Sequence, residues 1–278
     1  MTEAFETPGS VTLQVSIPTG RVLVGTTDEP RTVVELEARG RRAEETLELI
    51  DVTHDERSGR HVVTVEQRDR IRWGPIQINW GGDVEVRVKC PVGTELELSG
   101  ASTEFRADGQ YGKASVRTAS GDIRLGDVSG KLELKTASGD VTLDALESEK
   151  AALVTVSGDV EIGRVDAHLM LRTVSGEVEL GAARGAVTLS TTSGDVDVRA
   201  LEAGELRIQS VSGDVRVAVA RGTQVFVDAT SVSGDLRSEL SMSHEGPAAD
   251  GPAAPVVPVH VKTVSGDVAL VRASAPVG

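Results

Sequence analysis

The sequence predicts an all-β fold: a single-chain parallel β-solenoid, or β-helix, of about eight coils of 18–19 residues with an N-terminal β cap. Three observations support this. A turn motif, Ser-Gly-Asp or Ser-Gly-Glu, recurs along the chain, and apolar residues alternate on both sides of each copy. The apolar content is mainly aliphatic, with six aromatic residues among 278, which suits a narrow core between strands.

The spacing of the motif is nearly constant. Its serine falls at Ser120, Ser138, Ser157, Ser175, Ser193, Ser212, Ser233 and Ser265. The successive steps are 18, 19, 18, 18, 19, 21 and 32 residues, so the last two contain insertions. A fixed period of this kind indicates a stack of structural repeats.

The residues between the turns alternate with period two. Leu132 and Leu134 precede one turn, and Val141 and Leu143 follow it. Alternation over short runs predicts strands with one buried face. Two strands and two turns in 18–19 residues make one solenoid coil, and adjacent coils are expected to pair in parallel. A sandwich of hairpins also alternates but does not hold a fixed register.

The chain divides into regions by composition. Residues 1–95 lack the repeat and are expected to form an N-terminal β-rich cap region continuous with the solenoid, which occupies residues 96–272. The expected strands of the cap are VTLQVSI, RVLVGTT, TVVELEA, HVVTVEQ and DVEVRVKC, and RRAEETLEL is a candidate short helix. A Pro/Ala/Gly-rich insertion at 239–258 predicts a loop, and residues 273–278 form a tail.

Each corner of the predicted solenoid combines residues that favour turns. Glycine allows positive φ, and serine and aspartate can bond nearby backbone groups. A hydroxyl residue stands two positions before each motif serine: Thr118, Thr136, Thr155, Thr173, Thr191, Ser210, Ser231 and Thr263. Stacked coils would align these hydroxyls in a ladder at the corner.

The motif also repeats a carboxylate, which we call the acidic row. It consists of Asp122, Asp140, Asp159, Glu177, Asp195, Asp214, Asp235 and Asp267. We interpret it as a structural turn row that caps corners. Calcium is the competing interpretation, but this ion takes six to eight oxygen ligands and one carboxylate per coil supplies too few. We therefore expect no metal site, with cation binding kept as an alternative.

Enzymatic chemistry is not predicted. Any stacked row of carboxylates meets glycosidase spacings of roughly 5–9.5 Å by geometry alone, and the repeats contain almost no aromatics for a sugar. The five histidines show no ligand spacing such as H-x3-H, and Cys90, after an alternating strand and just before Pro91, is expected to be buried or at a strand end and not reactive. We expect no catalytic residue and no cofactor; a carbohydrate-active β-helix is the alternative.

The least repetitive stretch is RDRIRWGPIQINWGGD. It gathers Arg70, Arg72, Trp73 and Trp80 around a Gly-Pro pair. A hairpin whose aromatics cover the end of the solenoid is one interpretation. A partner-binding patch is the other, because tryptophan and arginine are enriched in interfaces.

The net charge and the N-terminal sequence limit which partners and which cellular compartment are expected. The net charge of −14 disfavours nucleic acids and anionic membranes. No signal peptide or membrane-length stretch is visible, so we expect a cytoplasmic protein without membrane insertion, with surface exposure by non-standard export as the alternative. The expected partner is a protein or surface polymer. We expect a monomer or weak homo-oligomer, because the charge and the non-repeating ends oppose polymerisation.

The stretch VEVRVKCPVGTELELSG leads into coils similar to TVSGDVEL. In this pattern the chain, over roughly residues 10–275, resembles the bacterial domain-of-unknown-function 4097 family of adhesin-like β-strand repeat proteins. The resemblance implies a β-solenoid with no known catalytic activity. The expected function is that of a non-enzymatic, rigid adhesion-like or scaffolding module, with a cation-binding or carbohydrate-active β-helix as the alternative.

Overall fold

The computed structural model describes residues 1–39, 43–68, 83–240 and 256–273. The chain separates into two compact units, Met1–Leu143 and Asp144–Gly278. Unit 1 contains helix α1 (Ala43–Leu47) and strands β1 (Thr2–Glu6), β2 (Ser10–Ser16), β3 (Thr19–Thr27), β4 (Arg31–Arg39), β5 (Ile50–Arg57), β6 (Arg60–Gln67), β7 (Asp83–Pro91), β8 (Glu95–Ser99), β9 (Ser102–Tyr111), β10 (Ala114–Arg117), β11 (Ile123–Val128) and β12 (Leu132–Lys135). Strand β13 (Val141–Val154) includes the boundary between the units. Unit 2 continues with β14 (Val160–Arg172), β15 (Val178–Ala183), β16 (Ala186–Ser193), β17 (Val196–Leu201), β18 (Glu205–Ser212), β19 (Val215–Val219), β20 (Gln224–Ser233), β21 (Leu236–Ser238), β22 (Val256–Ser265) and β23 (Val268–Arg272).

The predicted all-β fold is confirmed, and the pairing within each unit is mostly parallel, as in a β-solenoid. In unit 1 one ladder runs β6–β2–β8–β10–β12, and a second runs β7–β3–β9–β11. Each coil contributes one strand to each ladder. Each apolar residue is paired with an apolar residue of the neighbouring strand, for example Leu96 with Ala114 and Ala114 with Leu132.

The coils of unit 1 do not follow chain order. Strands β2 and β3 form the first coil along the chain, yet they lie between the β6/β7 coil and the β8/β9 coil. Antiparallel strands cover the outermost coil: β5 pairs with β6, β4 pairs with β7, and β1 pairs with β4. Parts of residues 1–95 are thus coils in the parallel stack, which their sequence did not indicate.

Unit 2 repeats this arrangement at its far end. One ladder runs β14–β16–β18–β22–β20, and the other runs β14–β15–β17–β19–β23–β21. The last coil of the chain, β22 and β23, is inserted between the β18/β19 coil and the β20/β21 coil. The segment that follows the Pro-rich insertion therefore returns inside the stack.

The core is made of aliphatic columns. Leu169, Val187, Leu206 and Val259 pair in sequence across four strands, and none is more than 2% exposed. Burying one such side chain contributes roughly 1.5–3 kcal/mol. Because each column position is shared by consecutive coils, a narrow aliphatic side chain fits throughout, which accounts for the scarcity of aromatics.

The other predicted elements correspond closely to the structure. The five strands expected before residue 95 correspond to β2, β3, β4, β6 and β7, and the candidate helix corresponds to α1. Strands β1 and β5 were not predicted, because TEAFE and IDVTHDER carry many charged residues and little apolar alternation. Within the described ranges, no helix combines the length and the hydropathy needed to cross a membrane.

Candidate functional site

The repeated corner is the most prominent candidate site, and its geometry explains the glycine. Gly176 has a φ of +112°, and a Cβ added there would lie 2.2 Å from the carbonyl oxygen of Gly158 in the neighbouring coil. Gly194 repeats this relation to Gly176 at 2.1 Å. An L side chain would be strained by its backbone angle and would also collide with the adjacent coil.

The hydroxyl that precedes each motif closes the same corner. The Thr173 hydroxyl donates to the Ser175 carbonyl at 3.0 Å, and Thr173 is buried. Equivalent bonds of 2.8–3.2 Å join Thr118 to Ser120, Thr136 to Ser138, Thr155 to Ser157, Thr191 to Ser193, Ser210 to Ser212 and Thr263 to Ser265. In the outermost coil, Ser231 donates instead to the Gly266 carbonyl of the neighbouring coil at 3.2 Å. The seven bonds within the turns each satisfy a buried hydroxyl locally.

The acidic row forms a hydrogen-bonded ladder between coils. In five steps, a backbone N–H donates to the Oδ1 of the aspartate one coil away: Asp140 to Asp122 (3.0 Å), Glu177 to Asp159 (2.8 Å), Asp214 to Asp195 (2.8 Å), Asp267 to Asp214 (2.8 Å) and Asp235 to Asp267 (2.9 Å). A hydrogen bond to a charged acceptor is stronger than a neutral one. It offsets the repulsion of roughly 1 kcal/mol between neighbouring carboxylates in water.

One member of the row departs from the pattern. In the described coils, no bond joins the N–H of Asp195 to the carboxylate of Glu177, although Glu177 itself donates to Asp159. Glutamate is one methylene longer than aspartate, so its carboxylate is displaced along the side chain. The ladder therefore depends on the length of aspartate and not on negative charge alone.

The row could hold a cation only if several carboxylates converged on one point. Among the residues that the structure describes, no group of three or more His, Cys, Asp or Glu side chains has an arrangement that could hold a metal ion. Outside the row, several charged side chains form ion pairs. Hydrogen bonds from Lys135 and Arg117 lower the pKa of Glu133 to about 2.

A second cluster joins two histidines that sequence spacing did not bring together. His54 Nε2 lies 3.1 Å from His61 Nδ1, and His61 Nε2 lies 3.1 Å from the Pro8 carbonyl oxygen. The Pro8 oxygen can only accept, so His61 Nε2 carries a proton in this bond. Phe5 packs against His54 with ring centroids 5.2 Å apart. The antiparallel β5–β6 pairing creates the contact, which no fixed ligand motif signals.

A shallow groove lies on the outer face of unit 1. It has a volume of about 480 Å³ and is lined by Gln14, Thr64, Glu97 and Arg117, among others. Its polar groups bond one another: Gln14 donates to Glu97 at 2.8 Å, and Thr64 donates to Gln14 at 3.2 Å. None of its lining residues is aromatic, so it offers no stacking platform for a sugar.

The remaining predicted residues fall into two groups. Cys90 is buried as expected, with its Sγ 3.7 Å from the Gly25 carbonyl oxygen, and burial raises the pKa of its thiol to about 11. Arg70, Arg72, Trp73 and Trp80 lie outside the described residues. Residues 241–255 of the predicted insertion loop also lie outside them.

Comparison with known proteins adds a family relation. The family model described as Toastrack DUF4097 matches residues 24–271, which include every copy of the turn motif. A structure named "putative adhesin" from Bacteroides fragilis is 13% identical, with a TM-score of 0.46 over 97% of this chain and 96% of that chain. Two from Parabacteroides distasonis, a "putative adhesin" and a "putative lipid binding protein", are 13% and 12% identical, each with a TM-score of 0.44 over 98% of this chain and 96% of theirs. A comparison with curated proteins finds no match.

Proposed function

Because the chain belongs to the Toastrack DUF4097 family, we propose that it is a non-enzymatic, rigid adhesion-like or scaffolding module. One observation carries the proposal. The carboxylates of the acidic row accept backbone N–H groups from coil to coil, so the most repeated chemical group of the chain serves the fold. A catalytic group needs a unique partner that activates it, and a repeated row supplies the same surroundings in every coil.

The finer architecture follows from the same repeat. We infer about eight coils of 18–19 residues in the turn-motif repeat, with residues 1–95 adding two parallel coils and, in their antiparallel strands, an N-terminal β cap region. Support comes from the antiparallel strands β4 and β5 beside the outermost coil of unit 1, since such strands occupy edges that would otherwise stay unpaired. We interpret the acidic row as a structural turn row that caps the corners.

The proposed partner is a protein or a surface polymer that contacts the long repeated surface. A repeat array offers many equivalent contacts, so binding gains from multivalency. The candidate partner patch of Arg70, Arg72, Trp73 and Trp80 remains a proposal of the same kind. We place the protein in the cytoplasm, with surface exposure by non-standard export as the competing location.

The first experiment locates the protein by fractionation and protease shaving of intact producing cells. Surface exposure leads to binding screens against glycans and host proteins and supports the adhesion-like role. Strictly internal protein removes adhesion and leaves scaffolding. In that case the double variant Trp73→Ala/Trp80→Ala separates the two roles of the Trp segment: unchanged melting with lost partner binding favours the patch, and unfolding favours the cap.

Two outcomes would overturn the proposal. A reproducible hydrolase or lyase activity that disappears on Asp195→Asn, and persists on Asp197→Asn two residues along the chain, would make the protein an enzyme. Tight, stoichiometric uptake of calcium in a calorimetric titration, with a large rise in melting temperature, would make the acidic row a cation site. In that case Asp195→Asn should remove part of the uptake.

A further inference from the structure

The outermost coil of unit 2 presents two strand edges. Strand β20 pairs with β22 along one edge, and β21 pairs with β23 along one edge. No strand of the described residues pairs with the opposite edge of either. Edge strands of this kind template pairing with another strand, because their backbone N–H and C=O groups point outward unpaired.

Three large apolar side chains of this coil are open to solvent. Phe226 is 60% exposed, Val232 is 79% exposed and Leu236 is 52% exposed. The inward side chain of Val227 is half-buried, while its register partner Val259 in the next coil is fully buried. The interior column thus ends at a coil that is covered on one side only.

The charge of this coil permits contact with another copy. Strands β20 and β21 contain Asp228 and Arg237 as their charged residues, and Asp235 between them pairs with Arg237. This coil is therefore close to neutral in a chain of net charge −14. By contrast, edge strands β1 and β5 of unit 1 have the sequences TEAFE and IDVTHDER, and charges on an edge discourage strand pairing.

We propose that this edge binds a second copy of the chain, with β20 antiparallel to β20 of the other copy about a two-fold axis at Ala229. Antiparallel pairing places opposite residues on the same face, so the register must match inward with inward positions. With the axis at Ala229, Phe226 lies opposite Val232 of the second copy, and Asp228 lies opposite Thr230. An axis at Asp228 would place two carboxylates opposite each other, which is destabilising.

The arrangement closes on itself. A two-fold contact uses the same edge in both copies, so association stops at a dimer and does not extend into a fibre. Each dimer gains two equivalent Phe226–Val232 cross-strand pairs, of an aromatic with a β-branched residue, which favour sheet pairing. This inference is independent of the proposed function, since it concerns which surface meets a second copy and not what the module binds.

Analytical ultracentrifugation over a wide concentration range tests the proposal. We expect a reversible monomer–dimer equilibrium, and Phe226→Lys should raise the dimer dissociation constant by roughly tenfold or more, because both symmetric pairs are lost. Val174→Lys is the matched control: Val174 is 48% exposed but lies in a turn within the stack. If Phe226→Lys fails to fold by circular dichroism, Val232→Lys replaces it.

Disulfide trapping tests the register. Cys90 is buried, so in Ala229→Cys the engineered thiol is the one available for oxidation. We expect a covalent dimer from Ala229→Cys and none from Val174→Cys. The proposal is overturned by a protein that stays monomeric at every concentration, by a dimer that Phe226→Lys and Val232→Lys leave unchanged, or by trapping that is equal in the two cysteine variants.

Discussion

The outer coils of the two units have the same strand plan but different surroundings. In unit 1 the outer coil, β6 and β7, is covered by β5 and β4, and its inward residues Val63 and Val65 are fully buried. In unit 2 the corresponding inward residues of β20, Val225 and Val227, are only half-buried. The repeat defines which positions face inward. Whether those positions lose their contact with water depends on the next layer.

Both units also insert a segment near a chain end one coil inside the stack. Strands β2 and β3 at the N-terminal end, and β22 and β23 at the C-terminal end, each have a parallel neighbour on both sides. An inserted coil has parallel neighbours on both sides, and the outer place is taken by β6 and β7 in unit 1 and by β20 and β21 in unit 2.

The two outer coils are expected to differ most in how much stability they lose when a charged residue replaces an inward valine. We expect Val65→Asp to lower the free energy of unfolding by about 3–5 kcal/mol, because the carboxylate would lie in a dry core without a partner. Val227→Asp is the matched change in the outer coil of unit 2 and should cost about 1 kcal/mol, since water reaches that side chain. Urea denaturation at low protein concentration measures both. Equal losses would show that the two coils are equally covered.

Glycine substitutions extend the comparison from side chains to turns. Gly176→Ala should cost about 3 kcal/mol, because the new methyl combines an unfavourable backbone angle with collision against the Gly158 carbonyl 2.2 Å away. Gly222, before β20, also has positive φ (+85°), but nothing lies within 4 Å of its added Cβ. Gly222→Ala should therefore cost only about 1 kcal/mol, the backbone contribution alone. Comparing the thermal denaturation of Gly176→Ala with that of Gly222→Ala isolates the cost of the collision with the neighbouring coil.

The sequence predicted the strands, the corners and the inward positions, because each has a local signal. Alternation places Leu189 and Ile208 inside, and the motif places Gly194 at a turn. The order of the coils has no local signal. Every coil presents the same register to its neighbours, so β22 could pair equally with β20 or with β18, and it pairs with both.

The contacts that the sequence did not reveal arise from the same cause. The His54–His61 pair depends on β5 folding back antiparallel on β6, in a stretch with weak alternation. The bond between successive members of the acidic row depends on the exact reach of a side chain across two coils. Both are products of pairing between segments, which composition and spacing alone do not specify.

The reactivity of Cys90, the single cysteine, tests whether the outer coil of unit 1 is covered. Burial raises the pKa of Cys90 from 9.0 to about 11, so the folded protein holds the thiol proton more tightly than the unfolded chain does. This contribution to stability is complete below pH 9.0 and is lost as the pH rises toward about 11. We expect Cys90 to resist alkylation at neutral pH until urea unfolds the protein. An engineered thiol in Ala229→Cys, which is half-buried in the outer coil of unit 2, should react faster than Cys90 at low protein concentration, where the proposed dimer dissociates, and equal rates would contradict the difference between the coils.

The smallest expected effect is a gain in stability inside the stack. Glu177→Asp shortens the side chain that fails to accept the N–H of Asp195, so the carboxylate can complete the ladder as Asp195 does for Asp214 at 2.8 Å. We expect the free energy of unfolding to rise by about 0.5–1 kcal/mol, the net value of one exposed hydrogen bond. Asp195→Glu is the reverse change and should lower it by a similar amount. Both variants keep the charge constant, so an unchanged free energy of unfolding in both would show that side-chain length is irrelevant and that the row acts through charge.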